Sequence, residues 1–192
     1  DIERWVEDKI EVRNLVPVLL RKLVKSTGRE LQFVDFPGYD NGERRGPDGQ
    51  VESTASTPWI PLGRSIWETG TDADPGSKAN RDFGARLLSI PFEERKNLSF
   101  VFVTPRNWKG KTKWAQAQRK LGEWKDVRVY DASDIEQWLE QSMTAQSWLA
   151  EEMGIPHEGI ETLESLWSKW SLATEPALVE DIFLSAIEDN RA

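Results

Sequence analysis

The chain has 192 residues, of which 38% are apolar and 30% charged, with a formal net charge of −8. That length carries one substantial core and a small appendage, and that balance belongs to an ordinary globular protein. With no cysteine and a single histidine, His157, disulfides, thiolate metal sites and His-rich clusters are excluded, and no apolar run approaches the roughly 20 residues of a membrane helix. The expected location is the cytoplasm, because no signal sequence precedes the first helix. Asp1, standing where an initiator methionine would, suggests a chain processed or cut from a longer one.

In chain order, residues 3–25 carry apolar side chains at Val6, Ile10, Leu15, Val16, Leu19, Leu20 and Leu23, a helical spacing that Gly28 ends. "LQFVDF" (31–36) predicts a strand, followed by the polar loop "PGYDNGERRGPDG". "QVESTA" (50–55) and "RSIWET" (64–69) are two further short strands. In the latter, Ile66 and Glu68 share one face while Ser65, Trp67 and Thr69 share the other. "SKANRDFGARLLSI" (77–90) reads as a helix capped by Ser77. "LSFVFVTP" (98–105) is apolar without alternation, as suits a central strand covered on both faces.

Beyond it, "GKTKWAQAQRKL" (110–121) predicts a helix and "DVRVYD" (126–131) a strand. "SDIEQWLEQ" (133–141) predicts a helix whose Ser133 and Glu136 stand at capping-box spacing. The "GKT" here lacks the glycine-rich loop of a phosphate-binding P-loop. "TAQSWLAEEM", "IETLESLWSKW" and "EPALVEDIFLSAIED" complete a helical end, and His157 falls in the loop "GIPHEG". The first three strands form a meander and the later units have a crossover rhythm. The expected fold is α/β, a small mixed sheet flanked by helices over residues 1–142, with a helical extension over 143–192.

Charge is unevenly spread. Residues 91–130 hold ten bases against four acids, while 131–192 hold two bases against 14 acids. The basic part concentrates in Arg106, Lys109, Lys111, Lys113, Arg119 and Lys120, interleaved with Trp108 and Trp114. Such a mixture neutralises phosphates while an aromatic ring packs or stacks, and Gly110 opens a helix whose N-terminus suits a phosphate. The plainer alternative is an amphipathic helix with Trp114 and Leu121 in the core and its lysines in water.

The acids of "GPDGQVES" and "SIWETG" pose the chemical question. Asp48 has an ordinary role as a turn residue. Glu52 is unexpected in a strand, and Glu68 next to Trp67 is costly if buried without purpose. Lys78 follows in the next helix. Asp48, Glu52 and Glu68 are suitable oxygen ligands for Mg²⁺, with Mn²⁺ as a substitute, and a lysine beside such an ion orients water or pairs with phosphate. Arg81, three residues on from Lys78, adds a phosphate contact on the same helical face. Trp59 and Trp67 are expected to wall this pocket, and Trp138, Trp148, Trp167 and Trp170 to serve packing.

These residues and the order of elements resemble the PD-(D/E)XK, restriction-endonuclease-like superfamily, over residues 1 to about 142. "PDGQVE" is similar to its Mrr-like form. The resemblance implies a metal-dependent endonuclease on DNA, or alternatively RNA, with Glu52 as the metal-binding strand acid, Asp48 as the turn acid or the reverse, and Glu68 as the second acid. The family's lysine stands two residues after that acid. Here Gly70 occupies the position, and Lys78 would reach back to supply the ammonium. Without it, the domain would be a degenerate relative that binds nucleic acid or a protein without cutting.

"VTPRNWKGKTKWAQAQRKLGEWKDVRVYDASDIEQWLE" (103–140) resembles nuclease modules at the N-terminus of large bacterial NTPases of antiviral defence. That likeness implies a covalently following ATPase or sensor domain, and a homo-oligomer is among the expected assemblies.

Overall fold

The computed structural model describes residues 2–8, 12–38, 46–155, 163–173 and 175. The chain divides into two compact units, residues 1–149 and 150–192. The first holds a five-stranded mixed sheet in the order β1-β2-β3-β4-β5. Its strands are β1 (Leu31–Asp35), β2 (Gly49–Ser53), β3 (Gly63–Thr69), β4 (Ser99–Val103) and β5 (Asp126–Tyr130). The first three pair antiparallel as a meander, and β3-β4-β5 pair parallel. Parallel neighbours need a crossover between them. Helix α3 (Pro75–Ser89), with the short α4 (Phe92–Arg95), and helix α5 (Lys111–Lys120) provide the two crossovers.

The predicted first helix is described as two, α1 (Ile2–Asp8) and α2 (Val12–Thr27). Helices α6 (Ala132–Leu139) and α7 (Met143–Glu152) follow β5, and α8 (Leu163–Leu172) lies in the second unit. Within α8 the Trp167 and Trp170 rings meet with centroids 5.5 Å apart. Of the predicted helix at 175–189 only residue 175 is among the described residues, and His157 lies outside them. Among the described residues, no helix is long and apolar enough to cross a membrane.

Both faces of the sheet are covered, which accounts for the unbroken apolar run of β4: all five of its residues are buried. On one face Trp67 packs with Phe36, Tyr130 and Trp138, and Trp59 stacks on Trp138 at 5.5 Å. Trp138 Nε1 donates to Thr27 Oγ1 at 2.7 Å, which ties α6 to α2. On the other face Ile66, Phe100, Phe102 and Val127 pack with Ala79 and Phe83 of α3 and with Trp124. Trp59 and Trp67 therefore do not wall a pocket on the Glu68 face. Alternation along β3 turns Trp67 to the side opposite Ile66 and Glu68, and Trp59 follows it there.

Two helix starts differ from expectation. The N-cap of α3 is Asp74, not Ser77. Its carboxylate accepts from Ser77 N at 3.1 Å and from Ser77 Oγ at 2.6 Å, with Pro75 in the first turn where its missing N–H costs nothing. The capping box of α6 is built by Asp131 and Asp134, not by Ser133 and Glu136. Glu136 instead accepts from Ile2 N at 3.0 Å, joining α1 to α6.

Candidate active site

Extending the β2–β3 register one step past the Gly49–Trp67 pair brings Asp48 to the end of β3. There Asp48 Oδ2 accepts from both Thr69 N and Thr69 Oγ1, each at 2.8 Å. These bonds fix the acid of "GPDG" against the strand that carries Glu68, and leave Asp48 Oδ1 without a donor among the described residues. Glu68 points to the α3 face with Ile66 and is only 3% exposed. Its Oε1 accepts from Arg86 Nε, and the same guanidinium donates through Nη2 to the carbonyl of Gly46. Arg86 thus fastens the turn before Asp48 to the last turn of α3.

Burial pushes the Glu68 carboxyl up to about 7; the Arg86 hydrogen bond opposes the rise, and the charges of Asp48 and Asp82 add to it. An acid raised chiefly by burial, with like charges in one corner adding to the rise, is the electrostatic pattern of many functional sites. Asp82 belongs to the same corner. Burial raises its pKa as well, against the pull of Lys78, with Asp48 again contributing. Lys78 Nζ donates to Asp82 Oδ2 at 2.6 Å, and both side chains are largely buried.

Lys78 reaches the corner because position 70 is glycine. A Cβ placed on Gly70 would stand 2.5 Å from Lys78 Cγ and 3.0 Å from the Phe102 ring. The lysine stem fills the space that a side chain two residues after Glu68 would occupy. The structure thus brings together Asp48, Glu68 and Lys78 of the expected set, and adds Asp82 and Arg86.

Asp82 and Arg86 are not among the residues expected from the sequence, although their signal is present in it. In "SKANRDFGAR", Lys78, Asp82 and Arg86 recur every fourth residue, forming one stripe beside the core stripe of Ala79 and Phe83.

Glu52 is not brought in. It pairs with Arg64 across the β2–β3 ladder, four residues back from Glu68, which is about 13 Å at ~3.3 Å per strand residue. It is exposed to solvent. Of the two assignments left open for Glu52 and Asp48, the geometry matches the one with Asp48 at the site: Asp48 lies beside Glu68 and Glu52 lies remote. Arg81 is also turned away, exposed and paired with Asp72 at 3.0 Å.

No group of three or more His, Cys, Asp or Glu side chains among the described residues is arranged to hold a metal ion. The three-acid set Asp48, Glu52 and Glu68 is accordingly not assembled. Two carboxylates remain, each with one oxygen that accepts no bond among the described residues. Mg²⁺ uses one or two carboxylates and keeps several waters for substrate oxygens, so the chemistry of this donor pair suits it.

The basic stretch divides into two groups. Lys111 is committed to the fold: its Nζ donates to Asp131 Oδ1 and Asp134 Oδ2, both at 2.6 Å. Burial disfavours its charge, but those two bonds outweigh burial and hold its pKa above the ordinary lysine value. Arg119 pairs with Asp126 at 3.1 Å, and Arg106 Nε donates to the Thr71 carbonyl at 3.3 Å. Lys109, Lys113 and Lys120 are exposed. Trp108 and Trp114 are not stacking platforms in water. Both pack against the α3-face core, with Trp114 Nε1 bonded to Asn80 Oδ1 at 2.8 Å.

Searches against protein-family models, curated proteins and solved structures found no match to the chain.

Proposed function

We propose that the corner formed by Asp48, Glu68 and Lys78 is the active site of a metal-dependent phosphodiesterase acting on DNA. The observation that carries the reading is the seating of Lys78 over Gly70, beside a buried acid whose neighbour is a second carboxylate. The order helix, three-strand meander, helix, strand agrees with the resemblance to the restriction-endonuclease-like superfamily. Asp48 and Glu68 would hold Mg²⁺. Bound there, it would polarise a phosphate oxygen and supply a water of lowered pKa. The Lys78 ammonium would orient that water or pair with charge developing on the phosphate. Lys109, Lys113 and Lys120 would neutralise backbone phosphates outside the chemistry. RNA is the alternative substrate. The antiviral setting, a following ATPase or sensor domain and a homo-oligomer rest on resemblance alone.

A second reading is favoured by the charge compensation in the corner. Arg86 already occupies one oxygen of Glu68, and Asp82 occupies Lys78. A site neutralised in this way suits a domain that binds nucleic acid without cutting it.

Nicking of supercoiled plasmid with Mg²⁺ separates the two readings. Cleavage predicts nicking by the wild type, lost in Glu68→Gln and lowered to a measurable residual rate in Lys78→Ala, with folding retained in both, and kept in Glu52→Ala. Absence of nicking by the wild type, with DNA affinity that falls in Lys109→Ala and Lys113→Ala, would favour binding alone.

A further inference from the structure

We propose that Asp82 is a positioning residue that sets where the Lys78 ammonium stands relative to Asp48 and Glu68. The inference rests on the cleavage reading for its consequence in catalysis, but not for its geometry. Lys78, Asp82 and Arg86 lie at four-residue intervals on α3, so they form one stripe facing the ends of β2 and β3. The charges along that stripe run positive, negative, positive. Arg86 takes Glu68, Asp82 takes Lys78, and the stem of Lys78 crosses Gly70.

A lysine side chain has four rotatable bonds and a point charge free to choose among nearby acids. Three acids lie close enough to influence one another in this corner: Asp48, Glu68 and Asp82. The ammonium chooses Asp82, at 2.6 Å. That choice keeps it off the open oxygens of Asp48 and Glu68 while leaving two of its three donors for another partner. Asp82 is poorly placed to serve simply as a surface ion-pair partner, because its side chain is only 12% exposed. Buried carboxylates are costly unless paired, and here the pair also fixes the lysine at the site.

The test is a double-mutant cycle on nicking of supercoiled plasmid by the intact chain with Mg²⁺, using Asp82→Asn, Lys78→Ala and the double variant. Asp82→Asn is expected to lower kcat about tenfold, the lower end of what orienting partners contribute, with KM for DNA little changed. Asp82→Glu should recover most of that loss. In the Lys78→Ala background, Asp82→Asn should have no further effect. An equal loss in both backgrounds, or a loss confined to KM, would overturn the proposal.

A second readout needs no activity. Lysines are reductively ¹³C-methylated and the Lys78 signal is assigned with Lys78→Arg. That signal should move towards the free-lysine position in Asp82→Asn, and an unmoved signal overturns the tether. Should the wild type fail to nick under Mg²⁺ or Mn²⁺, the cleavage reading falls, and this signal alone decides whether Asp82 holds Lys78.

Discussion

The side chain of Lys78 occupies the space above Gly70: a Cβ at position 70 would come within 2.5 Å of Lys78 Cγ. Two positions eight residues apart, one at a strand end and one in the following helix, are thus sterically complementary. The absence of a side chain at one leaves room for the stem of the other, whose ammonium bonds Asp82.

Gly70→Ala tests that complementarity. The new methyl would collide with the stem of Lys78 and with the edge of Phe102. Overpacking of this kind costs about 1–3 kcal/mol, and the lysine would be displaced from the corner. A lowered melting temperature is expected, partly relieved in Gly70→Ala/Lys78→Ala, where the stem is gone. Equal melting of the two variants would show that the stem does not fill that space.

Glu68 should give the protein a pH-dependent stability. Its folded pKa of about 7 lies above the ordinary 4.5, so the folded state holds the proton more tightly than the unfolded chain. The stabilisation is complete below about 4.5 and is lost as pH rises through 7, on the order of 3 kcal/mol from this group. Chemical denaturation at pH 5 and pH 8 should show a steeper loss for the wild type than for Glu68→Gln. Mg²⁺ should restore part of the loss at pH 8 in the wild type and none in Glu68→Gln. Parallel pH profiles would remove the buried charge from the account.

Glu52 and Asp48 are predicted to differ despite lying four residues apart. Glu52→Ala removes an exposed side chain opposite Arg64, and such changes stay within about 0.5 kcal/mol. Asp48→Ala breaks two hydrogen bonds from Thr69, each contributing about 1.5–3 kcal/mol to a charged acceptor. Urea unfolding of the two variants measures the difference, and equal stability would mean that Asp48 is only a turn residue.

Lys111 and Lys113 should separate folding from binding. Lys111→Ala leaves Asp131 and Asp134 without their shared cation. It should destabilise by roughly 3 kcal/mol, as the breaking of a largely buried pair does. Lys113→Ala should leave stability unchanged and reduce the salt dependence of DNA binding by about one phosphate contact. The reverse pattern would place Lys111 at the nucleic acid.

The sequence by itself determined the five strands and the order of the main elements, though it ran α1 and α2 together and did not announce α4. Apolar periodicity located α2, the unbroken run of β4 marked a strand buried on both faces, and short polar-rich strands announced the meander. These signals are local, since each depends on the spacing of neighbours along the chain. The faces of β3 were legible too, with Glu68 beside Ile66 and Trp67 opposite. Only the tertiary structure decided which acids meet.

Register set Asp48 beside Thr69 and Glu52 beside Arg64, and register depends on how two strands slide past each other, which neither strand encodes alone. The role of Arg86, the tie between Lys78 and Asp82, and the diversion of Lys111 into the fold follow from how α3 and α6 settle against the sheet. Long charged side chains select partners by distance in space, so their roles appear only once the helices are packed.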